Sequence, residues 1–132
     1  MGKIVRQTQL YVDCYDLLGR IIDLTALFPR EYKHTIGQRM TGKALDMVER
    51  YIAAYAAQNL QTRAENLDAF VADFEVLKML IRIAGERHWI AGRTRHAMLI
   101  ELIEKIGKQS SGFRNSLSKH QRELAGIGTT TV

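Results

Sequence analysis

Apolar side chains recur at intervals of three and four residues along most of the chain, a spacing that is typical of amphipathic α-helices. The pattern predicts four helices joined by short connections. No stretch of the sequence shows the strict alternation, bounded by turn residues, that is typical of a β-strand. In chain order, the four apolar stripes contain Leu10, Cys14, Leu17, Leu18, Ile21, Ile22 and Thr25; Ile36, Met40, Ala44, Met47, Tyr51 and Tyr55, widened by Leu45, Val48 and Ile52; Leu67, Phe70, Phe74, Leu77, Ile81 and Ala84; and Leu99, Leu102, Ile106, Phe113, Leu117 and Leu124.

Polar residues and the single proline mark the predicted helix ends. The first helix is expected to end by Phe28, because the residue before a proline disfavours helical conformation. Pro29 then suits the first turn of the second helix, where its missing N–H costs nothing. Thr62 and Glu65 have the spacing of a capping box for the third helix, and Thr94 is expected to cap the fourth.

Long helices with short connections favour antiparallel neighbours, so we expect an all-α, antiparallel up-down four-helix bundle. Residues 1–125 are expected to form one domain and residues 126–132 a disordered tail. The interruption at Ser110-Ser111-Gly112 predicts a kink or an early end in the last helix. The apolar arc of the second helix is wider than one bundle seam needs, which favours assembly into a cyclic homo-oligomer.

Composition and motifs do not favour an enzyme. Glu31 and His34 form a Glu-x-x-His pair, but a di-iron bundle needs a second such motif and two further inward glutamates, which the chain lacks. Neither a phosphate-binding glycine loop, nor a nucleophile elbow, nor a Cys–His pair is present. We therefore expect no catalytic residues, no cofactor and no metal. Cys14 is interpreted as a small buried apolar residue rather than a reactive thiol.

The sequence also predicts that the protein does not associate with a membrane. The opening MGKIVRQTQLYV lacks an apolar core long enough for a signal peptide. The most apolar window, residues 70–84, is interrupted by four charged side chains, which excludes a membrane span. A single cysteine fits a reducing compartment, so a cytoplasmic location is expected.

The chain is basic, with 19 Lys and Arg against 14 Asp and Glu and a net charge of +5. Such a balance favours a polyanionic partner. Asp46 is expected to pair with Arg50 four residues on, which would neutralise part of the basic edge of the second helix. A solvated face is the simpler interpretation of any one cation, but the set predicts a surface for nucleic acid or a partner. Its candidates are Arg30, Lys33, Arg39, Lys43, Arg50, Arg93, Lys108, Arg114, Lys119 and Arg122.

The predicted junction between the first two helices contains features that folding explains and features that it does not. Phe28 and Tyr32 are expected to pack across the corner. Gly37 costs up to about 1 kcal/mol in a helix interior relative to Ala, so it is expected to permit the close approach of another helix. The basic residues of the junction have no evident role in folding and are either solvated or part of a binding surface.

The junction also carries a resemblance to a known superfamily. FPREYKHTIGQRM, residues 28–40, resembles the corner of small four-helix bundle proteins, in which an aromatic-Pro-Arg/Lys step precedes an aromatic-basic step, a hydroxyl residue, an aliphatic residue, Gly, and an acidic or amide residue with Arg. AFVADFEVLKMLIRIA is similar to the family's third helix. LIEKIGKQSSGFRNSL is similar to its last helix, although Ser111-Gly112-Phe113 departs from the Gly-Gly-aromatic step that is common there. The resemblance extends from about residue 10 to about residue 119.

That superfamily groups proteins encoded by intervening sequences in bacterial ribosomal RNA genes with the accessory variability determinants of diversity-generating retroelements. The resemblance implies a non-enzymatic accessory protein, a basic homopentamer that binds the element's reverse transcriptase and its template RNA or cDNA to support mutagenic retrohoming. Two alternatives stay open. One is an intervening-sequence-type bundle with an unknown, RNA-associated role, which genomic neighbourhood would separate. The other is a structural oligomerisation module whose charge serves solubility, which salt-dependent nucleic-acid binding would separate.

Overall fold

The computed structural model describes residues 4–130, with side chains described for residues 4–126, and this part of the chain is helical with no strand. The all-α expectation is therefore confirmed. The predicted second helix is divided into three consecutive parts that follow one another without a break. The elements are a 3-10 turn (Val5–Gln7), α1 (Gln9–Thr25), α2 (Arg30–Tyr32), a π-helical segment (Lys33–Gly37), α3 (Gln38–Ala56), α4 (Leu60–Glu86) and α5 (Arg93–Thr130).

The four long helices pack as a bundle. Helix α3 contacts both α1 and α4, and helix α5 contacts the same two helices from the other side. Each of the four long helices contributes to one hydrophobic core, which supplies the main favourable term in folding. Its most deeply buried large side chains are Leu17 and Ile21 of α1, Met40 and Met47 of α3, Leu67, Phe70, Leu77 and Ile81 of α4, and Ile106 of α5. None of the helices in the described range is long and apolar enough to span a membrane.

Four side chains of the predicted apolar stripes are not in this core. Ile22, Leu45, Ile52 and Leu124 are 49%, 44%, 39% and 50% exposed. The first three belong to helices α1 and α3, which are neighbours. Periodicity identified these positions as apolar, but it could not separate the side of each helix that packs in the bundle from the side that is exposed.

The corner between α1 and α2 is tightly packed. Phe28 is only 4% exposed, and Pro29 provides the N-cap position of α2. At Gly37, a Cβ atom would lie 3.2 Å from Cβ of Thr25, the last residue of α1. That distance is shorter than ordinary van der Waals contact, so a larger residue would push the end of α1 away. The predicted close approach at this glycine is confirmed.

Two of the predicted helix caps are wrong. Helix α4 is capped by Asn59, whose side-chain oxygen accepts a hydrogen bond from the backbone N–H of Thr62 at 2.8 Å. Asn is as strong an N-cap as Ser or Thr and comes earlier in the chain, so Thr62 lies inside the helix instead of starting it. Helix α5 begins at Arg93, which places Thr94 in its first turn. There the N–H of His96 donates to the carbonyl of Gly92 at 3.1 Å.

Helix α5 is longer than the sequence predicts. It passes through Ser110-Ser111-Gly112 without ending, and the Ser110 hydroxyl donates to the carbonyl of Gly107 at 3.1 Å, which satisfies the buried hydroxyl locally. The helix then continues to Thr130, into the segment for which a disordered tail was expected. Residues 131–132 of that segment lie outside the described residues. The domain boundary at residue 125 stays a prediction.

The packing of the corner predicts a large effect of Phe28→Ala. Removing a buried aromatic ring leaves a cavity, so we expect the free energy of unfolding to fall by about 3–5 kcal/mol. Leu27→Ala is the matched control, because Leu27 is the preceding residue and is 59% exposed. We expect the control to change stability by less than about 0.5 kcal/mol. Urea denaturation followed by circular dichroism measures both, and equal effects would contradict a buried corner.

Candidate nucleic-acid interface

The indole ring of Trp89 joins two connections at one end of the bundle. Its centroid lies 4.5 Å from that of Tyr32 in a stacked arrangement and 5.2 Å from that of Phe28. Phe28 and Tyr32 flank the corner between α1 and α2, whereas Trp89 belongs to the α4–α5 connection. Aromatic pairs at these separations are worth about 0.5–1.5 kcal/mol beyond the area that they bury. The stack therefore holds the two connections against each other.

The end of α4 is shaped so that Trp89 points back to the bundle. His88 adopts a left-handed backbone conformation with φ of 61°. The N–H of His88 donates to the carbonyl of Gly85 at 3.1 Å, and the N–H of Trp89 donates to that of Ala84 at 2.9 Å. This pair of hydrogen bonds is a Schellman motif, which normally has glycine at the left-handed position. His is among the residues that tolerate that conformation, and the motif turns the chain sharply toward Tyr32.

Five cations stand in the two chain segments that this stack joins, residues 29–33 and 86–95, and we name them the basic end: Arg30, Lys33, Arg87, Arg93 and Arg95. All are exposed except Lys33, which is half-buried. Within residues 4–130, no carboxylate lies within 4.0 Å of any of their charged groups. Over residues 29–33 and 86–95 the cations outnumber the carboxylates by five to two. Such an excess on one surface favours contact with a polyanion.

Two cations of α3, Lys43 and Arg50, make internal contacts instead. Lys43 Nζ lies 3.1 Å from Oδ1 of Asp73 in α4, and Arg50 Nε lies 3.7 Å from Oδ2 of the same carboxylate. Asp73 is only 9% exposed, so it needs these partners to offset its lost hydration. Asp46 lies 3.9 Å from Lys43 Nζ, so its ion pair is formed with Lys43 and not, as the sequence predicted, with Arg50. Lys43 and Arg50 thus join α3 to α4.

The candidates on α5 divide in the same way. Arg114 donates to the carboxylate of Asp68 in α4 at 2.7 Å and to the hydroxyl of Ser118 at 2.7 Å. Lys108, Lys119 and Arg122 are exposed, and the described residues place no carboxylate within 4.0 Å of them. At 1.5 Å per residue, Lys119 lies about 39 Å along the helix from Arg93. These three therefore belong to a different region from the basic end.

The structure does not gather the ten candidates of the sequence analysis into one site. Arg30, Lys33 and Arg93 belong to the basic end, whereas the exposed Arg39 lines a separate groove between α3 and α4. The sequence analysis does not include Arg87, which stands in the α4–α5 connection, or Arg95, which lies in the first turn of α5, because it assigned no helical face to either position. The signal that identifies them is Trp89, a large aromatic residue in a loop otherwise rich in Arg and His.

Buried polar groups elsewhere in the bundle serve packing rather than chemistry. Asp13 of α1 accepts hydrogen bonds from Gln109 of α5 at 2.6 Å and from Gln9 at 2.9 Å. Cys14 is 1% exposed, and burial together with the neighbouring Asp13 raises the pKa of its thiol to about 12. The thiol is therefore protonated at neutral pH, as a structural cysteine should be. Within the described residues, no group of three His, Cys, Asp or Glu side chains is placed to hold a metal ion.

The ion pair across α3 and α4 predicts that Lys43 is a structural residue. In Lys43→Met the buried Asp73 loses its shortest contact, so we expect the free energy of unfolding to fall by about 1–3 kcal/mol. Lys108→Met is the control, because Lys108 is exposed and has no carboxylate within 4.0 Å among the described residues. Its effect should stay within about 0.5 kcal/mol. The urea midpoint distinguishes the two variants, and an unchanged midpoint for Lys43→Met would place that lysine among the solvated cations.

Comparison with known families gives one result. A family model described as bAvd-like matches residues 4–117, which include α1 to α4, the basic end and most of α5. No curated protein matches the chain. The resemblance seen at the junction is thereby confirmed over most of the sequence. The residues beyond 117, including Lys119 and Arg122, lie outside the match. The chain belongs to the bAvd-like family, the proteins similar to accessory variability determinants.

Proposed function

We propose that this protein is a non-enzymatic accessory protein of a diversity-generating retroelement. In this role it binds the element's reverse transcriptase and its template RNA or cDNA and supports mutagenic retrohoming. The observation that carries the proposal is the family match over residues 4–117, since accessory variability determinants are accessory, non-catalytic proteins. The protein supplies position and charge, and the chemistry belongs to the reverse transcriptase.

The basic end supports a role in holding nucleic acid. Its five cations have no carboxylate partner within 4.0 Å among the described residues, so binding a phosphate breaks no internal ion pair. Phosphate contacts carry no sequence information, which suits a protein that must accept any template. Lys108, Lys119 and Arg122 form a second, separate set of available cations on α5. Lys43, Arg50 and Arg114 contribute less, because their charges are already paired.

The proposal includes an antiparallel up-down order for the bundle. The Tyr51 hydroxyl donates to the Thr8 hydroxyl at 2.8 Å, while Thr25 and Thr41 lie 3.4 Å apart, so that the start of α1 meets the later part of α3. Likewise Asp68 pairs with Arg114, whereas Gly85 lies against the ring of His96. Both sets of contacts support opposite directions for neighbouring helices.

The proposal also includes a cyclic homo-oligomer, which the family resemblance makes a pentamer. Exposed apolar side chains on α1 and α3 support it, since soluble monomers rarely keep such residues grouped in water. A cytoplasmic location is part of the same proposal, because the retroelement's RNA and reverse transcriptase are there.

We expect nucleic-acid binding to depend steeply on salt and to be centred on the basic end. Each phosphate contact contributes a slope of about −0.7 on single-stranded RNA in a plot of log affinity against log salt. Replacing Arg30, Lys33 and Arg93 together with Gln should weaken binding and make the slope shallower. The matched control replaces Lys108, Lys119 and Arg122 with Gln, which removes the same charge from a distant region. Fluorescence anisotropy with labelled RNA measures both variants.

Three outcomes of this titration have distinct meanings. A larger loss in the control variant would move the main contact to the second half of α5. A flat salt response of the unmodified protein would contradict phosphate binding altogether. Equal losses in both variants would mean that net charge, rather than the basic end, attracts the RNA.

Binding of the reverse transcriptase is tested by co-purification. We expect the tagged protein to retain the reverse transcriptase encoded beside it after nuclease treatment, because the proposed contact is between proteins and needs no RNA bridge. The control is a co-purification without nuclease, which shows how much enzyme is recovered when RNA is present. Loss of the enzyme after nuclease would contradict a direct contact, and absence of a reverse transcriptase gene beside this gene would contradict the retroelement itself.

A further inference from the structure

Helix α1 has two apolar faces. One face is buried in the core, as the sequence predicts. On the other side, Val12, Tyr15 and Ile22 are 45%, 65% and 49% exposed. These positions follow one another at intervals of three and seven residues, so they lie on one face of the helix. Apolar side chains grouped on an exposed helix face favour contact with another surface.

Helix α3 extends this exposed apolar surface. Leu45 and Ile52 are 44% and 39% exposed. They follow Thr41 at intervals of four and seven, and Thr41 contacts Thr25 at the end of α1. Leu45 and Ile52 therefore stand on the side of α3 that faces α1. We name Val12, Tyr15, Ile22, Leu45 and Ile52 the α1–α3 face, because they form one surface across two neighbouring helices.

Carboxylates border the α1–α3 face on both helices. Asp16 and Asp23 lie beside it on α1, and Glu49 lies beside it on α3. Asp16 pairs with Arg20 at 3.1 Å. Asp23 and Glu49 have no cation within 4.0 Å among the described residues. On a chain of net charge +5, these three carboxylates leave the border negative, although Arg20 stands among them and lines a small pocket with Asp23 and Arg95. The face is therefore suited to a partner surface that is apolar in its centre and basic at its rim.

The same chain carries a surface of that kind. A groove of about 580 Å³ lies between α4 and the π-helical segment together with the start of α3. Met79 lines this groove and is 50% exposed, and Arg39 and His34 line it as well. Within the described residues, Arg39 has no carboxylate within 4.0 Å. The apolar lining of the groove consists of Ile36, Val76, Met79 and Leu80.

We propose that the α1–α3 face of one copy docks on this α3–α4 groove of a second copy. Two copies of a basic protein repel each other, and carboxylates of the border that face Arg39 offset part of that repulsion and favour one orientation. Two different surfaces of one chain make a head-to-tail contact, and such contacts close into a ring when the rotation allows it. Arg39 then contacts a neighbouring subunit and not nucleic acid. This inference rests on the homo-oligomer of the proposed function.

The first test compares the masses of two double variants by light scattering. Ile22→Glu with Leu45→Glu puts two charges in the α1–α3 face, and both positions are exposed, so the fold should survive. The control is Met98→Glu with Leu124→Glu, at positions on α5 that are 45% and 50% exposed. We expect a multiple of 15.0 kDa for the unmodified protein and the control, and a single 15.0 kDa species for the face variant.

The outcomes separate this inference from the proposal on which it rests. An oligomeric face variant would overturn the assigned surface and leave the homo-oligomer intact. An unmodified protein of 15.0 kDa would overturn the homo-oligomer itself and would mean that another protein covers the face. Circular dichroism of the face variant must match that of the unmodified protein, and a variant that fails this requirement is replaced by Ile22→Ser with Leu45→Ser.

A cross-linking experiment tests the head-to-tail geometry. The only native cysteine, Cys14, is buried and should not react. Tyr15→Cys and Met79→Cys place one thiol on each of the two surfaces. We expect a short bis-maleimide to give a ladder of covalent oligomers with the double variant and only monomers with either single variant. The last step of the ladder gives the number of subunits. Dimers from a single variant would show a two-fold contact and overturn the inference.

Discussion

Stacking of Trp89 on Tyr32 and Phe28 is the contact on which the proposed site depends. It joins the corner between α1 and α2 to the α4–α5 connection, which are distant in sequence. Two local features make the stack possible. Gly37 lets the end of α1 lie against the following helical segment, and the left-handed His88 turns the chain back after α4. Without the stack, Arg30 and Lys33 would have no fixed relation to the arginines of the other connection.

The cations of the bundle divide into those that pair with a carboxylate and those that do not. A carboxylate that loses its hydration must be compensated, so Asp73 is flanked by Lys43 and Arg50 between α3 and α4. Asp68 similarly holds Arg114 on α5. The cations of the basic end have no carboxylate within 4.0 Å among the described residues, so they stay available for an external anion. A positive net charge therefore does not translate into a uniform binding surface, because part of it stabilises the fold.

The sequence predicted the helices and most of their core, whereas the ion pairs of the candidate cations depend on contacts between helices. Stripes of apolar residues located α1, α3, α4 and α5, because burial imposes their spacing. The caps failed at Thr62 and Thr94, since capping is a local competition that neighbouring residues such as Asn59 can win. The candidate binding residues stay a prediction. Whether Lys43 is free depends on Asp73, thirty positions away, and helical spacing within one segment carries no information on that distance.

The exposed apolar positions show a second limit of helical spacing as a guide to burial. Ile22 and Leu45 fit their stripes as well as any core residue, yet both face outward. Periodicity shows that a position is apolar, but it does not show whether that side chain is buried by the same chain or exposed on its surface.

Photo-cross-linking of bound RNA that contains 4-thiouridine tests most directly whether RNA binds at the basic end, with the modified peptides identified by mass spectrometry. If RNA binds at the basic end, we expect cross-links within residues 28–33 and 86–95. Cross-links confined to residues 108–122 or to the outer face of α3 would contradict it.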